Sequence, residues 1–272
     1  MVRSGSPDGL CRFGNPAVLT IDRHMRRYTA VAVVLLTLTP SPVLGAESRL
    51  PDYTDAEFVR LAELAELINL SSPGPPPEIT GNEEVDAQIR VLAEARGYVM
   101  RPVPEGPLVE VDSELLQEPA ALAWRALKQE ADTAGYSIRL VSGYRSVASQ
   151  AGVFVGGAGG STMRAYEARL AWSAPPGYSK HHTGYVIDLA LPGESHNRFR
   201  QSEAYRWLVA DNYEVLKGFG FVPSYPPDGP PQGPNPETWE YSYVGIAVIR
   251  CGHQMMLGLL APSRGGPPAC PS

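Results

Sequence analysis

The segment from Ser179 to Asp188, with the sequence SKHHTGYVID, restricts how the chain can fold around it. It places an imidazole, His181, seven residues before a carboxylate, Asp188, and both side chains are ligand types that suit zinc. Residues seven apart in an unbroken strand point to opposite faces, so these two side chains can meet only if the chain bends between them. We expect Gly184 to form this bend, as a turn or a bulge. The alternative is a solvated pair of histidines before an ordinary strand.

Two further motifs flank this segment. The first is SGYRS at residues 142–146, followed by Gln150, and the second is ETWEYSYVG at residues 237–245. In this order the three segments resemble the zinc D-Ala-D-Ala carboxypeptidases of the VanY type, whose patterns are S-G-Y-R-S, S-x-H-x-x-G-x-A-x-D and E-P-W-H-x-R-Y-V-G. The resemblance covers residues 115–246, roughly half of the chain. It implies an α+β fold with a small antiparallel sheet flanked by helices, as in the hedgehog signalling domain.

The third motif departs from the family pattern at three positions. Glu240 stands where the family has the histidine that is its third zinc ligand, Ser242 replaces the usual arginine, and Thr238 replaces the usual proline. The middle motif has Val186 where alanine is usual. One histidine with two carboxylates is an acceptable zinc site. It is also a harder ligand set than the family's, which admits other divalent metals.

The resemblance implies a metal centre and its general base. His181, Asp188 and Glu240 are the implied metal ligands, and Glu237 is the implied general base toward the attacking water. With Glu240 as a ligand the charge of the site falls from about +1 to about zero, so water is acidified less than in a two-histidine site. The alternatives are a Glu240 that only forms a salt bridge in an inactive relative, and a Glu237 that is a solvated loop carboxylate.

The resemblance also implies which residues contact the substrate. Arg145 is expected near the scissile carbonyl, where a guanidinium suits an anionic substrate and a developing oxyanion. Gln150 and Ser179 are expected to help hold the terminal carboxylate of the peptide. The alternative for Arg145 is a salt-bridged arginine at the start of a helix. We expect His182 to lie on the solvent side, because adjacent side chains in an extended chain diverge.

The N-terminal region is typical of a secretory signal peptide. An apolar run over residues 30–38 follows two arginines and precedes small residues at 45–46. The run is too short for a transmembrane helix. We therefore expect residues 1–46 to be an N-terminal extension and signal peptide, with the signal starting at Met25, and the mature protein to be secreted or to act in the cell envelope. The alternative is a buried strand.

Charge and cysteine content restrict the partners of the mature chain. Without residues 1–46 the chain has 18 basic and 27 acidic residues, a net charge of −9. Nucleic acid is thus not an expected partner, because phosphate binding needs clustered lysine and arginine; a peptidoglycan stem peptide is. Cys251 and Cys270 remain, and we expect them to form a disulfide in an oxidising compartment. The alternative is two free thiols.

Apolar periodicity and breaker residues predict the organisation of the chain. Residues 47–107 form an N-terminal helical segment with a Pro-rich linker, residues 108–250 the metallopeptidase domain, and residues 251–272 a C-terminal tail. Helices are predicted over 52–70, 83–96, 119–134, 163–172 and 203–218, with another starting after Ser146. Strands are predicted over 137–141, 185–191, 219–222 and 240–246.

Together these features predict a secreted metallo-carboxypeptidase that removes the C-terminal D-alanine from peptidoglycan stem peptides. Zinc is the expected metal, and another divalent ion is compatible with Glu240. Both D,D and L,D specificity fit the motifs. Two alternatives stay open: an endopeptidase of the same fold, and a pseudoenzyme that binds wall peptide without cleaving it.

Overall fold

The computed structural model describes residues 49–104 and 106–261. The predicted signal peptide and Cys270 lie outside the described residues. None of the described helices combines the length and apolar character needed to cross a membrane.

In the part of the chain that the structure describes, two helices precede the sheet. Helix α1 is Asp55–Asn69 and helix α2 is Glu83–Ala95, close to the predicted bounds. The Thr54 hydroxyl accepts the N–H of Glu57, and the Glu57 carboxylate accepts the N–H of Thr54, so a reciprocal capping box starts α1. The Asn82 side chain caps α2. These caps satisfy backbone N–H groups that have no partner within their helix.

Among the described residues, six short strands form a hairpin and a central sheet. The hairpin pairs β1, Val109–Val111, with β2, Glu114–Leu116, and the central sheet contains β3, Arg139–Ser142, β4, Val186–Ala190, β5, Phe221–Pro223, and β6, Glu240–Tyr243. The order of the central strands is β3-β4-β6-β5, and every pair is antiparallel. All five residues of β4 are buried. The predicted α+β fold with a small antiparallel sheet is confirmed.

Five more helices surround the central sheet: α3, Glu118–Thr133; α4, Val147–Gly156; α5, Met163–Arg169; α6, Glu203–Gly218; and α7, Ile246–Met256. One apolar core lies among α3, α6 and the sheet, and a second joins α1 to α7. A third core joins α2 to α4 and α5 around Phe154 and Tyr166. The N-terminal helices therefore pack directly on elements of the predicted catalytic part.

Helix α6 is interrupted in its middle, which the sequence analysis did not predict. Asp211, Asn212 and Tyr213 have φ values of 51°, 58° and 61°, a left-handed conformation that is costly for residues with side chains. The Asn212 amide pairs with the backbone of Tyr53, donating to its carbonyl at 2.8 Å and accepting its N–H at 2.9 Å. This contact joins residues 159 positions apart, so local periodicity carries no sign of it.

Helix α7 corrects the predicted bounds of the last strand and of the tail. The strand ends at Tyr243, and residues 251–256, predicted as tail, form the second half of α7. Cys251 is buried in α7 and is disulfide-bonded. Its partner lies outside the described residues, so the pairing with Cys270 stays a prediction.

Candidate active site

A single tight turn places His181. Residues Lys180–Thr183 form a 3₁₀ turn that ends at Gly184, whose φ of 72° lies in the left-handed region. A Cβ on Gly184 would also come within 3.0 Å of the Leu108 side chain. The expectation that Gly184 bends the chain between His181 and Asp188 is confirmed, and β4 begins only after this bend.

His181 meets two carboxylates that the sheet brings together. Asp188 on β4 and Glu240 on β6 are directly paired in the antiparallel register. The Nε2 atom of His181 lies 3.4 Å from Asp188 Oδ2 and 3.4 Å from Glu240 Oε2. One ligand atom from each residue lies within 4.8 Å of the others, and all three residues are buried. The structure thus brings together the three predicted metal ligands.

The His181 ring is oriented so that its Nε2 atom faces the two carboxylates. Its Nδ1 lies 2.6 Å from the carbonyl oxygen of Gly143, which can only accept, so Nδ1 carries a hydrogen and Nε2 faces the carboxylates. Burial acts to lower the pKa of His181, but the carboxylates of Asp188 and Glu240 outweigh it and raise that pKa to about 10. The two carboxylates therefore favour a positive charge at Nε2, which a bound cation would supply.

Two buried oxygens of the cluster have no hydrogen-bond partner among the described residues. They are Oδ1 of Asp188 and Oε1 of Glu240. Unpaired buried carboxylate oxygens are costly unless an ion or a donor satisfies them. One imidazole nitrogen and two carboxylates form a donor set that zinc and harder divalent ions accept. The residues present therefore fit a divalent metal.

Glu237 lies beside this cluster and lines the cavity in front of it. Burial, and then the carboxylates of Glu240 and Asp188, raise the pKa of Glu237 to about 9. Burial also acts to raise the pKa of Glu240, but the contact with His181 outweighs it and lowers that pKa. The pKa values of the two neighbouring glutamates therefore shift in opposite directions, upward for Glu237 and downward for Glu240.

A cavity of about 210 Å³ opens in front of the cluster. Besides the cluster, its lining contains two arginines, several small polar groups and aromatic rings; among them are Arg145, Gln150, Arg169, Trp172, Ser173, Ser179, Tyr225 and Trp239. The carboxylates of Asp188, Glu237 and Glu240 are called the acidic end of this lining below, and the group around Arg145 and Gln150 is called its other end. All seven residues predicted for the site line this one cavity.

The Arg145 guanidinium is held in place by two side chains. Its Nη1 donates to Gln150 Oε1 at 3.0 Å and its Nη2 donates to Ser142 Oγ at 2.8 Å. The Nε2 of Gln150 in turn donates to Ser173 Oγ at 3.1 Å and to the Ala174 carbonyl at 2.7 Å. Both hydrogens of the Gln150 amide are engaged, so this residue orients Arg145. Its predicted contact with a substrate carboxylate stays a prediction.

His182 is not on the solvent side, which corrects that expectation. It is fully buried. Its Nδ1 donates to the Arg145 carbonyl at 2.7 Å and its Nε2 accepts the Gly177 N–H at 3.0 Å. Burial lowers the pKa of His182 to about 4. The 3₁₀ turn rotates this side chain inward, whereas the expectation assumed an extended chain.

Sequence analysis missed two basic residues near the cavity. Lys180 is buried, and its ammonium donates to the Ser224 carbonyl and, at 2.7 Å, to Gln232 Oε1. Burial lowers the pKa of Lys180 to about 7. Arg169, at the end of α5, lines the cavity and donates to the Val153 carbonyl at 3.0 Å. Arg169 belongs to no recognisable motif, and Lys180 occupies a variable position of the middle motif, directly before His181.

Comparison with known proteins gives a family for this part of the chain. Residues 113–246 match the family model VanY, D-alanyl-D-alanine carboxypeptidase. A D-alanyl-D-alanine carboxypeptidase of Enterococcus faecalis is 39% identical over 85 residues, which are 30% of this chain. The alignment spans only 29% of the length of that relative.

Solved structures give partial matches as well. A VanY D,D-pentapeptidase variant from a VanB-type vancomycin resistance cassette, solved with Zn(II), is 28% identical and has a TM-score of 0.46. That match covers 57% of this chain and 89% of the other. VanYB in complex with D-alanine-D-alanine is 27% identical over 57% of this chain and 88% of the other, with a TM-score of 0.44.

Proposed function

Because this chain belongs to the VanY family through residues 113–246, we propose that it is a secreted, metal-dependent carboxypeptidase. Its substrate is a peptidoglycan stem peptide, from which it removes the C-terminal D-alanine. The observation that carries this proposal is the buried cluster of His181, Asp188 and Glu240, which faces a cavity also lined by Glu237 and Arg145.

His181, Asp188 and Glu240 are the residues that hold the metal. The inward-facing Nε2 of His181 and the two unpaired carboxylate oxygens support this role. A divalent ion with three protein ligands and an open position acidifies water and polarises a carbonyl. Zinc is the first choice because the family's patterns describe zinc enzymes. The two carboxylates also suit harder divalent ions.

The cationic part of the cavity binds the anionic end of the peptide. Arg145 is held by Ser142 and Gln150, so its guanidinium is positioned before substrate arrives. It stabilises the negative charge that develops on the scissile carbonyl oxygen. Ser179 and Arg169 line the same cavity, and the proposal assigns both of them a contact with the terminal carboxylate. The small volume, about 210 Å³, suits a terminal residue as small as alanine.

Glu237 moves the proton in the reaction. It accepts a proton from the water whose oxygen forms the new bond to the carbonyl carbon. It then gives that proton to the nitrogen of the leaving D-alanine as the C–N bond breaks. The products are a peptide that is one residue shorter, with a new carboxylate, and free D-alanine.

Mass spectrometry of the products tests this proposal directly. The protein, purified with its metal, is incubated with a stem pentapeptide ending in D-Ala-D-Ala and with the corresponding tetrapeptide, and Glu237→Gln serves as the matched inactive control. The expected result is loss of one alanine from the pentapeptide. Loss of alanine from the tetrapeptide alone indicates L,D specificity, and an internal cut indicates the endopeptidase. Binding of the pentapeptide without cleavage by the metal-loaded protein contradicts the proposal and indicates the pseudoenzyme.

A further inference from the structure

A second cavity, of about 380 Å³, adjoins the catalytic cavity, because Tyr225 and Pro234 line both of them. Most of its lining comes from the proline-rich loop, residues 224–236, which follows β5 and contains six prolines. The catalytic cavity has room for about one terminal residue, so a longer peptide has to extend beyond it. The second cavity is a neighbouring space that can receive the residues before the scissile bond.

The proline-rich loop is held in place by other parts of the protein. The Asp228 N–H donates to Asp55 Oδ2 on α1 at 2.7 Å, and the Asn235 N–H donates to the Ala171 carbonyl at 2.9 Å. Proline rings also fix one backbone angle at each of the six positions. The wall of the second cavity is therefore formed before a ligand binds, which lowers the entropy that binding has to offset.

The turn that follows α2 packs against the proline-rich loop through two glycines. A Cβ on Gly97 would come within 2.2 Å of the Pro231 carbonyl oxygen, and a Cβ on Gly233 would come within 2.3 Å of the Tyr98 ring. Both contacts need the absence of a side chain. Residues 96–98 precede the residues 113–246 that match the family. The N-terminal helical segment therefore contributes to the wall of this cavity.

Arg96 brings a positive charge to the second cavity. It is the C-cap residue of α2 and is half-buried. Among the described residues that line this cavity, it is the only charged one. Within the described part of the chain its guanidinium donates one hydrogen bond, from Nε to the Gly233 carbonyl at 3.2 Å, and forms no salt bridge. Its Nη groups can thus bind a carboxylate in the bidentate manner typical of arginine.

We propose that the second cavity binds the part of the peptide that precedes the scissile bond, and that Arg96 binds a carboxylate carried by that part. Arg96 is then a specificity-determining residue that the N-terminal helical segment supplies to the catalytic domain. This inference deepens the proposed function and rests on it for the class of substrate. Its test measures binding separately from cleavage, so the two proposals can fail independently.

Binding of two matched peptides tests the role of Arg96. Both are pentapeptides ending in D-Ala-D-Ala, and they differ only in whether the second residue carries a carboxylate or a carboxamide. Calorimetry with metal-loaded Glu237→Gln protein gives both affinities without consuming the peptides. We expect the carboxylate peptide to bind roughly 10-fold more tightly. Adding Arg96→Gln is expected to reduce this preference to less than about 2-fold, whereas Arg96→Lys keeps the charge and part of the preference.

The competing explanation is that Arg96 only holds the proline-rich loop through Gly233. Its loss would then weaken both peptides by the same factor, so an unchanged preference in Arg96→Gln overturns the proposal. Equal affinity for the two peptides before Arg96 is changed also overturns it, and cleavage of both by the native protein then shows that the carboxypeptidase function stands alone. A preference that depends on Arg96, without cleavage by the native protein, supports the binding site and contradicts the carboxypeptidase.

Arg90 provides the matched control. It lies on the same helix and is also half-buried, and its guanidinium donates to a backbone carbonyl, that of Pro77, at 2.8 Å. It lines neither cavity. Arg90→Gln therefore removes the same charge from α2 without touching the proposed site, and we expect the roughly 10-fold preference to persist. Loss of the preference in Arg90→Gln as well would show a general effect of charge and overturn the assignment to Arg96.

Discussion

The two ends of the cavity differ in how far the protein satisfies its own polar groups. At the acidic end, Asp188 and Glu240 each have a buried oxygen without a partner among the described residues. At the other end, Arg145 and Gln150 are joined to each other and to neighbouring groups by bonds of 2.7–3.1 Å. An unsatisfied buried group indicates where a ligand can bind, whereas a satisfied network indicates a side chain whose position is already fixed. The carboxylates at the acidic end are therefore suited to bind an ion. At the other end, hydrogen bonds fix the positions of the side chains.

The largest effect that we expect is a loss of turnover on substitution of Glu237, which tests whether this residue is the general base. Glu237→Gln removes the general base but preserves the shape of the side chain and leaves the three ligands in place. We expect turnover of the D-Ala-D-Ala peptide to fall about 100- to 10,000-fold. Zinc binding, measured by calorimetry, is expected to persist. Near-normal turnover by this variant contradicts the assignment of Glu237 as the base.

Substitutions of Glu240 test whether the unsatisfied oxygens mark a metal ligand. Glu240→Ala leaves only His181 and Asp188, and we expect the zinc affinity to fall by more than the roughly 10- to 100-fold typical of outer-shell changes. Glu240→His is expected to retain zinc and to shift the pH optimum of activity downward, because the site gains about one positive charge. Calorimetric zinc titrations and pH–rate profiles measure both effects. Unchanged zinc affinity in the alanine variant shows that Glu240 is a bystander.

The sequence predicted the acidic end better than the rest of the cavity. The motif around Gly184 needs a residue that can adopt a left-handed conformation between a turn and a strand. A glycine at this position in the sequence indicates such a bend. That His181, Asp188 and Glu240 would lie close together followed from the family pattern. The contacts of Gln150 and Lys180 were not predictable, because their partners lie 23–52 residues away and belong to no motif.

The same distinction holds for the fold. Capped helices such as α1 were predicted to within a few residues, since Thr54 and the apolar stripe are local signals. The left-handed interruption at Asn212 was missed because it depends on the distant backbone of Tyr53. Helix α7 was missed because its first residues are also plausible strand residues. Its helical state is stabilised by packing against α1.

Acid stability tests how far His182 supports the satisfied end. Its folded-state pKa of about 4 lies below the ordinary 6.5, so its stabilising contribution is complete above pH 6.5 and is lost as the pH falls through about 4. This fall in pKa corresponds to about 3 kcal/mol of stability. Chemical unfolding of the parent and of His182→Asn is compared at pH 7 and pH 4. We expect the stability difference between the two proteins to shrink by about this amount at pH 4, and a constant difference contradicts the assignment.

The smallest expected effect decides what Gln150 does. If it orients Arg145, Gln150→Leu loosens the guanidinium, and the loss falls on kcat while KM stays nearly constant. If Gln150 instead holds the terminal carboxylate, the substitution weakens substrate binding and KM rises. We expect a fall in kcat of about 10-fold, because Ser142 still holds the other nitrogen of the guanidinium. Ser173→Ala is the matched control: it removes only one bond to the Gln150 amide, so it should reduce the same parameter by a smaller factor. If Gln150→Leu raises KM and leaves kcat unchanged, Gln150 binds substrate, as the sequence analysis predicts. The hydrogen bonds of Gln150 would then not describe its full role, because its amide would also contact the substrate.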